Sequence, residues 1–321
     1  MSRVGEATRI RSLRPPRPAI DPWKPIDVLL EEERQPDGTL ASCMTVFLAG
    51  AECPFTCVHC DLWRFTLDEP TPPGAIPSQV ERALATRVGE PLPEAIKLYN
   101  ASNFFDPRAV PPGDLPTLAV QLAPFRRVTV ESHPRLVGEG CTRFAASLPG
   151  RLEVAMGLET VHPTALARLN KQMTLPQFDA AVARLQSRGI GTRAFVLLSP
   201  PYVPPRDAVE WAVRSVDHAL DLGVDVVSLI PMRGGDGVLR RLADEGVLVP
   251  PSLEMFDQAM EQCLGLGRGV VLADLWDAEA MNGCGECRGR RIAHLRDMNR
   301  SGRVESRVTC RRCGAQGGET A

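Results

Sequence analysis

Two groups of cysteines have spacings that could do chemistry. Cys53, Cys57 and Cys60 lie in the run Cys53-Pro54-Phe55-Thr56-Cys57-Val58-His59-Cys60, three thiols on one short segment. Thiolates are the preferred protein ligands of iron-sulfur clusters. Three of them can hold three irons of a cubane while the fourth iron keeps an open coordination position, and an open position is a catalytic device. The same residues also read as small buried hydrophobes, or as three ligands of a zinc site closed by His59 or a distant residue. The second group pairs Cys284-Gly285-Glu286-Cys287 with Cys310-Arg311-Arg312-Cys313, two CxxC turns separated by 22 residues. Four thiolates on two tight turns make a closed tetrahedral site. Zinc is the simpler occupant and would be structural, whereas a second iron-sulfur cluster would relay electrons or give up sulfur. Cys43, Cys141 and Cys263 have no ligand-like spacing and are expected to be buried thiols.

Ten cysteines in 321 residues is a high number for a chain whose first residues are rich in arginine and show no apolar signal segment. Clustered cysteines outside the secretory route serve metals or redox work rather than disulfides. No stretch approaches the roughly 18 apolar residues of a membrane span, so a cytoplasmic protein without a membrane partner is expected. The composition, 44% hydrophobic and 24% charged with a net charge of -2, is that of an ordinary globular protein. There is no GxxxxGK[ST] loop and no GxGxxG after a strand, so nucleoside triphosphate and dinucleotide binding lack support.

The elements that must position the first cysteine group are readable from periodicity. Residues 10–25 hold five prolines among arginines and suit an extended arm. Asp27 to Glu33 and Leu40 to Leu48 flank the turn sequence Gln35-Pro36-Asp37-Gly38, which predicts a hairpin. Strands follow near Met44-Ala49, Ala95-Tyr99, Val128-Glu131, Leu152-Met156, Arg193-Leu198, Val224-Ile230 and Val270-Leu272, separated by helix-length segments. That alternation implies βα units on a parallel sheet, as a βα barrel or an open α/β sheet. Thr174 and Gln177 have capping-box spacing, Phe178, Ala181, Val182 and Leu185 form one apolar face, and Gly189 supplies a stop. In either architecture the ligand-binding residues lie at the C-terminal ends of the strands. The cysteine triad follows the first core strand directly, where such residues belong.

With the triad and the strand order in hand, the chain resembles the radical SAM superfamily, whose CxxxCxΦC motif follows the first strand of a partial (β/α)6 TIM-like barrel. The resemblance covers about residues 41–275. Three further segments resemble the branch containing the elongator catalytic subunit, the methylthiotransferases and the archaeosine synthase radical SAM subunit. They are Lys97-Leu98-Tyr99-Asn100-Ala101-Ser102-Asn103-Phe104-Phe105-Asp106, Val130-Glu131-Ser132-His133-Pro134 and Gly157-Leu158-Glu159-Thr160. The resemblance implies that Cys53, Cys57 and Cys60 bind a [4Fe-4S] cluster and that S-adenosylmethionine occupies the open iron. Reductive cleavage would then give a 5'-deoxyadenosyl radical that takes a hydrogen atom from a substrate. It also implies a one-electron donor such as a flavodoxin or ferredoxin. His59 stands where the family usually has an aromatic residue beside the adenine, and imidazole can also stack.

The strand-end residues have chemistry that suits this ligand. Asn100 and Ser102 can hydrogen-bond the methionyl ammonium or carboxylate, and Glu131 and Glu159 offer acceptors to an ammonium or to ribose hydroxyls. Lys171 has the chemistry to touch a carboxylate or substrate, but a solvated lysine at a helix edge is expected. Ser199-Pro200-Pro201-Tyr202 and Pro231-Met232-Arg233-Gly234-Gly235 are candidates for the adenine and substrate walls. No residue discriminates the reaction outcome, so no catalytic residue is assigned. The organisation expected is a basic arm and hairpin at 1–40, a radical SAM partial barrel at 41–275 and a metal-binding tail at 276–321.

Residues 282–321 carry nine arginines against four acidic residues, and the resembled branch includes tRNA-modifying enzymes, so RNA is an alternative substrate. Against it stand the scarcity of aromatics, 5%, and the slightly acidic whole. A reading from another class is a non-catalytic zinc-binding interaction protein, with zinc at both cysteine groups and the barrel as scaffold.

Overall fold

A computed structural model describes residues 3–313. In chain order the elements are α1 (Arg3–Ser12), β1 (Asp27–Arg34), β2 (Leu40–Phe47), α2 (Ala75–Ala85), β3 (Ala95–Tyr99), α3 (Leu115–Gln121), β4 (Arg127–Glu131), α4 (Glu139–Ser147) and β5 (Arg151–Glu159). They continue with α5 (Pro163–Arg168), α6 (Leu175–Gln186), β6 (Gly191–Leu198), α7 (Ala208–Asp221), β7 (Val226–Pro231), α8 (Val238–Asp244), α9 (Leu253–Leu264), β8 (Val270–Ala273) and α10 (Arg288–Ser301). The eight strands form one sheet in sequence order. The β1–β2 pair is antiparallel and all later pairs are parallel. Strands joined in order by helices curl into a half-barrel, an α/β partial TIM barrel as expected.

The two faces of the sheet differ in a way that the period of two explains. Met44, Val46, Ile96, Leu98, Val128, Val130, Val154, Met156, Val196 and Leu229 point outward into the main apolar core beneath the helices. The alternate residues Thr45, Lys97, Thr129, Glu153, Arg193 and Ser228 are also buried, but they are polar. They line the inside of the half-barrel as a charge layer. Arg193 donates to Glu33 Oε1 at 2.5 Å and to Glu153 Oε1 at 2.9 Å, Arg127 adds a bond to Glu153 at 2.9 Å, and Lys97 pairs with Glu33. Burial alone would raise the Glu33 carboxyl, but Arg193 and Lys97 hold it down at about 2. Since a buried charge without a partner costs several kcal/mol, this network ties β1, β3, β4, β5 and β6 together across the lumen. Above it, Phe47, Tyr99 and Phe195 make a chain of rings, with Trp276 packed on Phe47 at a centroid distance of 5.5 Å.

A half-barrel leaves a seam between its edge strands, here β1 and β8, and α10 packs against both. Asn299 accepts from Ala273 N at 2.7 Å and donates to Ala273 O at 2.9 Å, while Arg300 pairs with Glu32 at 2.6 Å. Ile292, Leu295 and Met298 are buried in the main core, so this part of the tail shares the barrel's core. Where an extended arm is expected from residue 10, α1 runs on to Ser12 and buries Ile10 against Val58, Leu169, Leu197 and Met232. The first proline after it is Pro15, and apolar contact extends the helix to within three residues of that break. The capping box of Thr174 and Gln177 opens α6. No helix of the described residues is long and apolar enough to cross a membrane.

Candidate cluster and cofactor site

The cysteine triad occupies the loop after β2, at the C-terminal edge of the sheet, and three neighbours pin that loop. Glu52, next to Cys53, accepts Arg14 at 2.8 Å and Arg17 at 2.7 Å from the N-terminal segment. Asn170 donates to Thr56 O at 2.8 Å, and Val58 N bonds Leu169 O at 3.0 Å. On the third side Phe55 stacks on His133, with centroids 3.8 Å apart. His133 is buried and its ring is fixed: Nδ1 accepts from Arg135 N at 3.2 Å, so the proton sits on Nε2, which faces Lys171 O at 2.9 Å. Burial and then the Lys171 charge push its pKa down to about 3, which keeps it neutral. Burial pushes the Cys57 thiol up to about 12 and raises Cys60 as well, so a cation is needed to draw out the thiolates.

Around this loop lie buried polar atoms without partners. They are both side-chain atoms of Asn100, Ser102 Oγ, Glu131 Oε1 and His59 Nδ1. Buried polar groups are nearly always satisfied, and orphans gathered at one edge mark a place where a polar ligand belongs. Asn100, Ser102, Glu131 and His59 are four of the five cofactor-binding residues expected from sequence. Ala101 has a positive φ of 53°, which turns the backbone N–H groups of Asn100, Ala101 and Ser102 toward the Glu131 carboxylate. Burial still dominates and places Glu131 at about 7, on the edge of ionisation near neutrality.

Glu159, the fifth, is differently placed. It ends β5 at a register shift beside Gly157, in a left-handed conformation with φ 64°. Its carboxylate takes Lys171 Nζ at 2.8 Å and faces His59 Nε2 at 3.5 Å. Lys171 is therefore no solvated lysine: it is buried, because the loop after α5 folds back over the strand end and Glu159 neutralises it. Burial alone would raise Glu159, yet Lys171 first and His59 second hold it well below the usual carboxylate range. A side chain at 157 would displace the pair, since a Cβ there would lie 2.0 Å from Glu159 Oε1.

Asn103 escaped the sequence reading. It is buried, accepts from His133 N at 2.6 Å and donates from Nδ2 to Cys53 Sγ at 3.2 Å. Its place one residue after Ser102 in a strand-end loop was the available signal. Tyr202 and Arg233 turn to other work: Arg168 lies 3.8 Å over the Tyr202 ring, and Arg233 bonds Asp274 at 3.2 Å and Trp276 O at 2.6 Å.

The tail cysteines come together across α10's N-terminus. Cys284 Sγ lies 3.9 Å from Cys310 Sγ, Cys287 Sγ lies 3.8 Å from Cys313 Sγ, and all four sulfurs are within 4.8 Å of one another. Arg291, one turn after Cys287, donates Nε to Cys287 Sγ at 3.3 Å and is held by Asp257 at 2.6 Å, whose other oxygen meets His294 Nδ1 at 2.7 Å. An open hollow of about 800 Å³ borders this site beside Ser252, Glu254 and Arg312. Among the described residues the triad is not a set with all ligand atoms that close. Cys43, Cys141 and Cys263 are buried thiols as expected.

Among solved structures, the fold is similar to a radical SAM methyltransferase from Sphaerobacter thermophilus, with a TM-score of 0.50, 16% identity and 79% of this chain covering 77% of that one. The two chains share the half-barrel fold. It is also similar to Methanocaldococcus infernus Elp3, with a TM-score of 0.53, 12% identity and coverage of 70% of this chain and 58% of that chain. Among curated proteins, the archaeosine synthase subunit beta of Methanosarcina acetivorans is 26% identical over 240 residues, 70% of this chain and 68% of that protein. An uncharacterized Methanocaldococcus jannaschii protein, MJ0550, is 22% identical over 227 residues, 67% of this chain. The chain spans 62% of MJ0550's length, and 47% of a second archaeosine synthase subunit beta, from Thermococcus kodakarensis, that is 29% identical over 151 residues. These similarities match the branch that the sequence resembles. No family model matches the chain.

Proposed function

We propose that the chain is a radical SAM enzyme that holds a [4Fe-4S] cluster on Cys53, Cys57 and Cys60 and S-adenosylmethionine against Asn100, Ser102, Glu131 and His59. The observation that carries this reading is the gathering of orphaned buried polar atoms around a loop that bears three cysteines. When bound, the cluster supplies the electron that cleaves S-adenosylmethionine, and the radical released takes a hydrogen atom from substrate. The chain's own residues bind and orient. Asn100 offers both a donor and an acceptor to the methionyl carboxylate and ammonium, and Ser102 a second hydroxyl contact. Glu131 gains an ammonium partner that favours its ionised form. Glu159, fixed by Lys171, orients His59, leaving Nδ1 toward the ligand. The apolar packing of α1 over Val58 keeps water from that side of the loop.

The substrate reading favoured is a base in tRNA, because two relatives carry the name archaeosine synthase subunit beta. That name also suggests a second subunit as partner, and the reaction calls for a one-electron donor such as a flavodoxin or ferredoxin. At the tail, the compact tetrathiolate favours a single zinc ion over an auxiliary cluster, since a tetrahedral ion with bonds of about 2.3 Å sets its ligands about 3.8 Å apart.

The test is 5'-deoxyadenosine formation from S-adenosylmethionine by anaerobically reconstituted, reduced protein. Formation by wild type and none by Cys57→Ala is expected. No formation despite an intact, reducible cluster would sink the activity, and no cluster at all would revive the zinc reading. For the substrate, salt-sensitive tRNA binding is expected, and no binding at low salt would overturn it.

A further inference from the structure

We infer that Asn103 is a positioning residue that tunes the cluster through the sulfur of Cys53, an inference that rests on the cluster reading above. The amide orientation is not arbitrary. Asn103 Oδ1 accepts the backbone N–H of His133 at 2.6 Å, and an amide whose oxygen is engaged must present its NH2 on the other side, where Cys53 Sγ lies at 3.2 Å. His133 cannot drift, because its ring is stacked on Phe55 and bonded at both nitrogens. Asn103 itself is buried, at 2% exposure, so water does not compete for either end. Among the described residues, no side-chain hydrogen-bond donor of this kind meets Cys57 or Cys60. One of the three ligands is thus singled out.

An N–H donated to a ligand thiolate withdraws electron density from the metal, and hydrogen bonds to the sulfurs are among the levers that set cluster potentials. Adding one electron makes the cluster more negative, so the donor stabilises the reduced form more than the oxidised one. Asn103 therefore makes the cluster easier to reduce by a one-electron donor and fixes the Cys53 rotamer against the loop after β3. The same loop carries Asn100 and Ser102, so the group that tunes the electron also spaces the ligand-binding residues from the cluster.

The experiment is a redox titration of the reconstituted full chain, followed optically and by electron paramagnetic resonance, with iron, sulfide and zinc counted in each sample. Asn103→Asp keeps the acceptor for His133 N–H but replaces the donor with a carboxylate oxygen. It is expected to lower the reduced-to-oxidised ratio at fixed potential at least about tenfold, which is 59 mV for one electron. Asn103→Leu, similar in shape and unable to donate, should shift in the same direction by less. Unchanged midpoints in both variants at full iron content would overturn the inference. So would loss of iron from both with the tail metal retained, which would make Asn103 a scaffold residue. A wild-type chain that takes up no iron and sulfide at the triad would fail the cluster reading instead, and this inference with it.

Discussion

The two cysteine sites use the same ligand atom under opposite geometries. At the tail, four sulfurs on two turns converge within 4.8 Å, backed by the Arg291–Asp257–His294 relay and adjoining an exposed hollow. At the triad, three thiols sit on one loop and do not form so compact a group, beside unpartnered polar atoms at the strand ends. On the proposed reading the tail is a closed site with its ligand set complete, and the triad is an open one beside strand-end polar atoms that lack partners. Closure makes a site structural and openness makes it reactive. The surroundings differ to match: Arg291 donates directly to a tail sulfur, whereas at the triad one amide donor meets Cys53 and the nearby Lys171 charge is paired with Glu159.

The comparison can be broken most directly by deleting one ligand from each side. Cys57→Ala should lose all triad iron and sulfide and all S-adenosylmethionine cleavage while keeping one tail metal per chain, as read by metal analysis. Retained iron would erase the distinction. Cys310→Ser should do the reverse, losing the tail metal and keeping triad iron. Because α10 begins at the tail site and fills the β1–β8 seam, it should also lower Tm by about 10 °C, a size typical of a lost metal site in a chain this long. An unchanged Tm would separate the tail metal from barrel stability.

Smaller changes sharpen the contrast. Arg291→Leu should weaken tail zinc about 10- to 100-fold in a competition with a chelator, the usual cost of removing an outer partner of a metal ligand, and leave the triad untouched. Glu131 gives the smallest effect. Its carboxyl is held at about 7, so the folded chain binds that proton more tightly than the unfolded one. The stability it contributes is present below its ordinary pKa of 4.5 and is lost as pH rises through about 7. A ligand ammonium needs the ionised form. S-adenosylmethionine affinity should therefore rise about tenfold between pH 6 and 8 in equilibrium binding, and Glu131→Gln should bind weakly with a flat profile. A flat wild-type profile would place the ammonium elsewhere.

Much of the site was legible because spacing is a covalent property. Cys53, Cys57 and Cys60 share one loop whatever the fold, and Asn100, Ser102 and Glu131 end apolar runs that could only be strands. Lys171 was misread because burial of a lysine depends on a partner distant in sequence, and Glu159 becomes that partner only when the loop after α5 folds back. Asn103 was invisible for the same reason, since its oxygen and nitrogen meet residues 30 and 50 positions away. The inward charge layer also hid within strands that read as apolar or β-branched, since each charge is neutralised across the lumen.

The sequence alone determined the succession of strands along the chain, the parallel βα alternation, the triad's place after the first parallel strand and the spacing of the two CxxC turns. All of these follow from local periodicity, turn chemistry and residue spacing. Tertiary structure decided which polar atoms remain unpartnered, which sulfurs converge, and that α10 fills the seam between β1 and β8. Those outcomes depend on distances between residues far apart in the chain, and such distances exist only once the apolar faces have packed and the buried charges have found their partners.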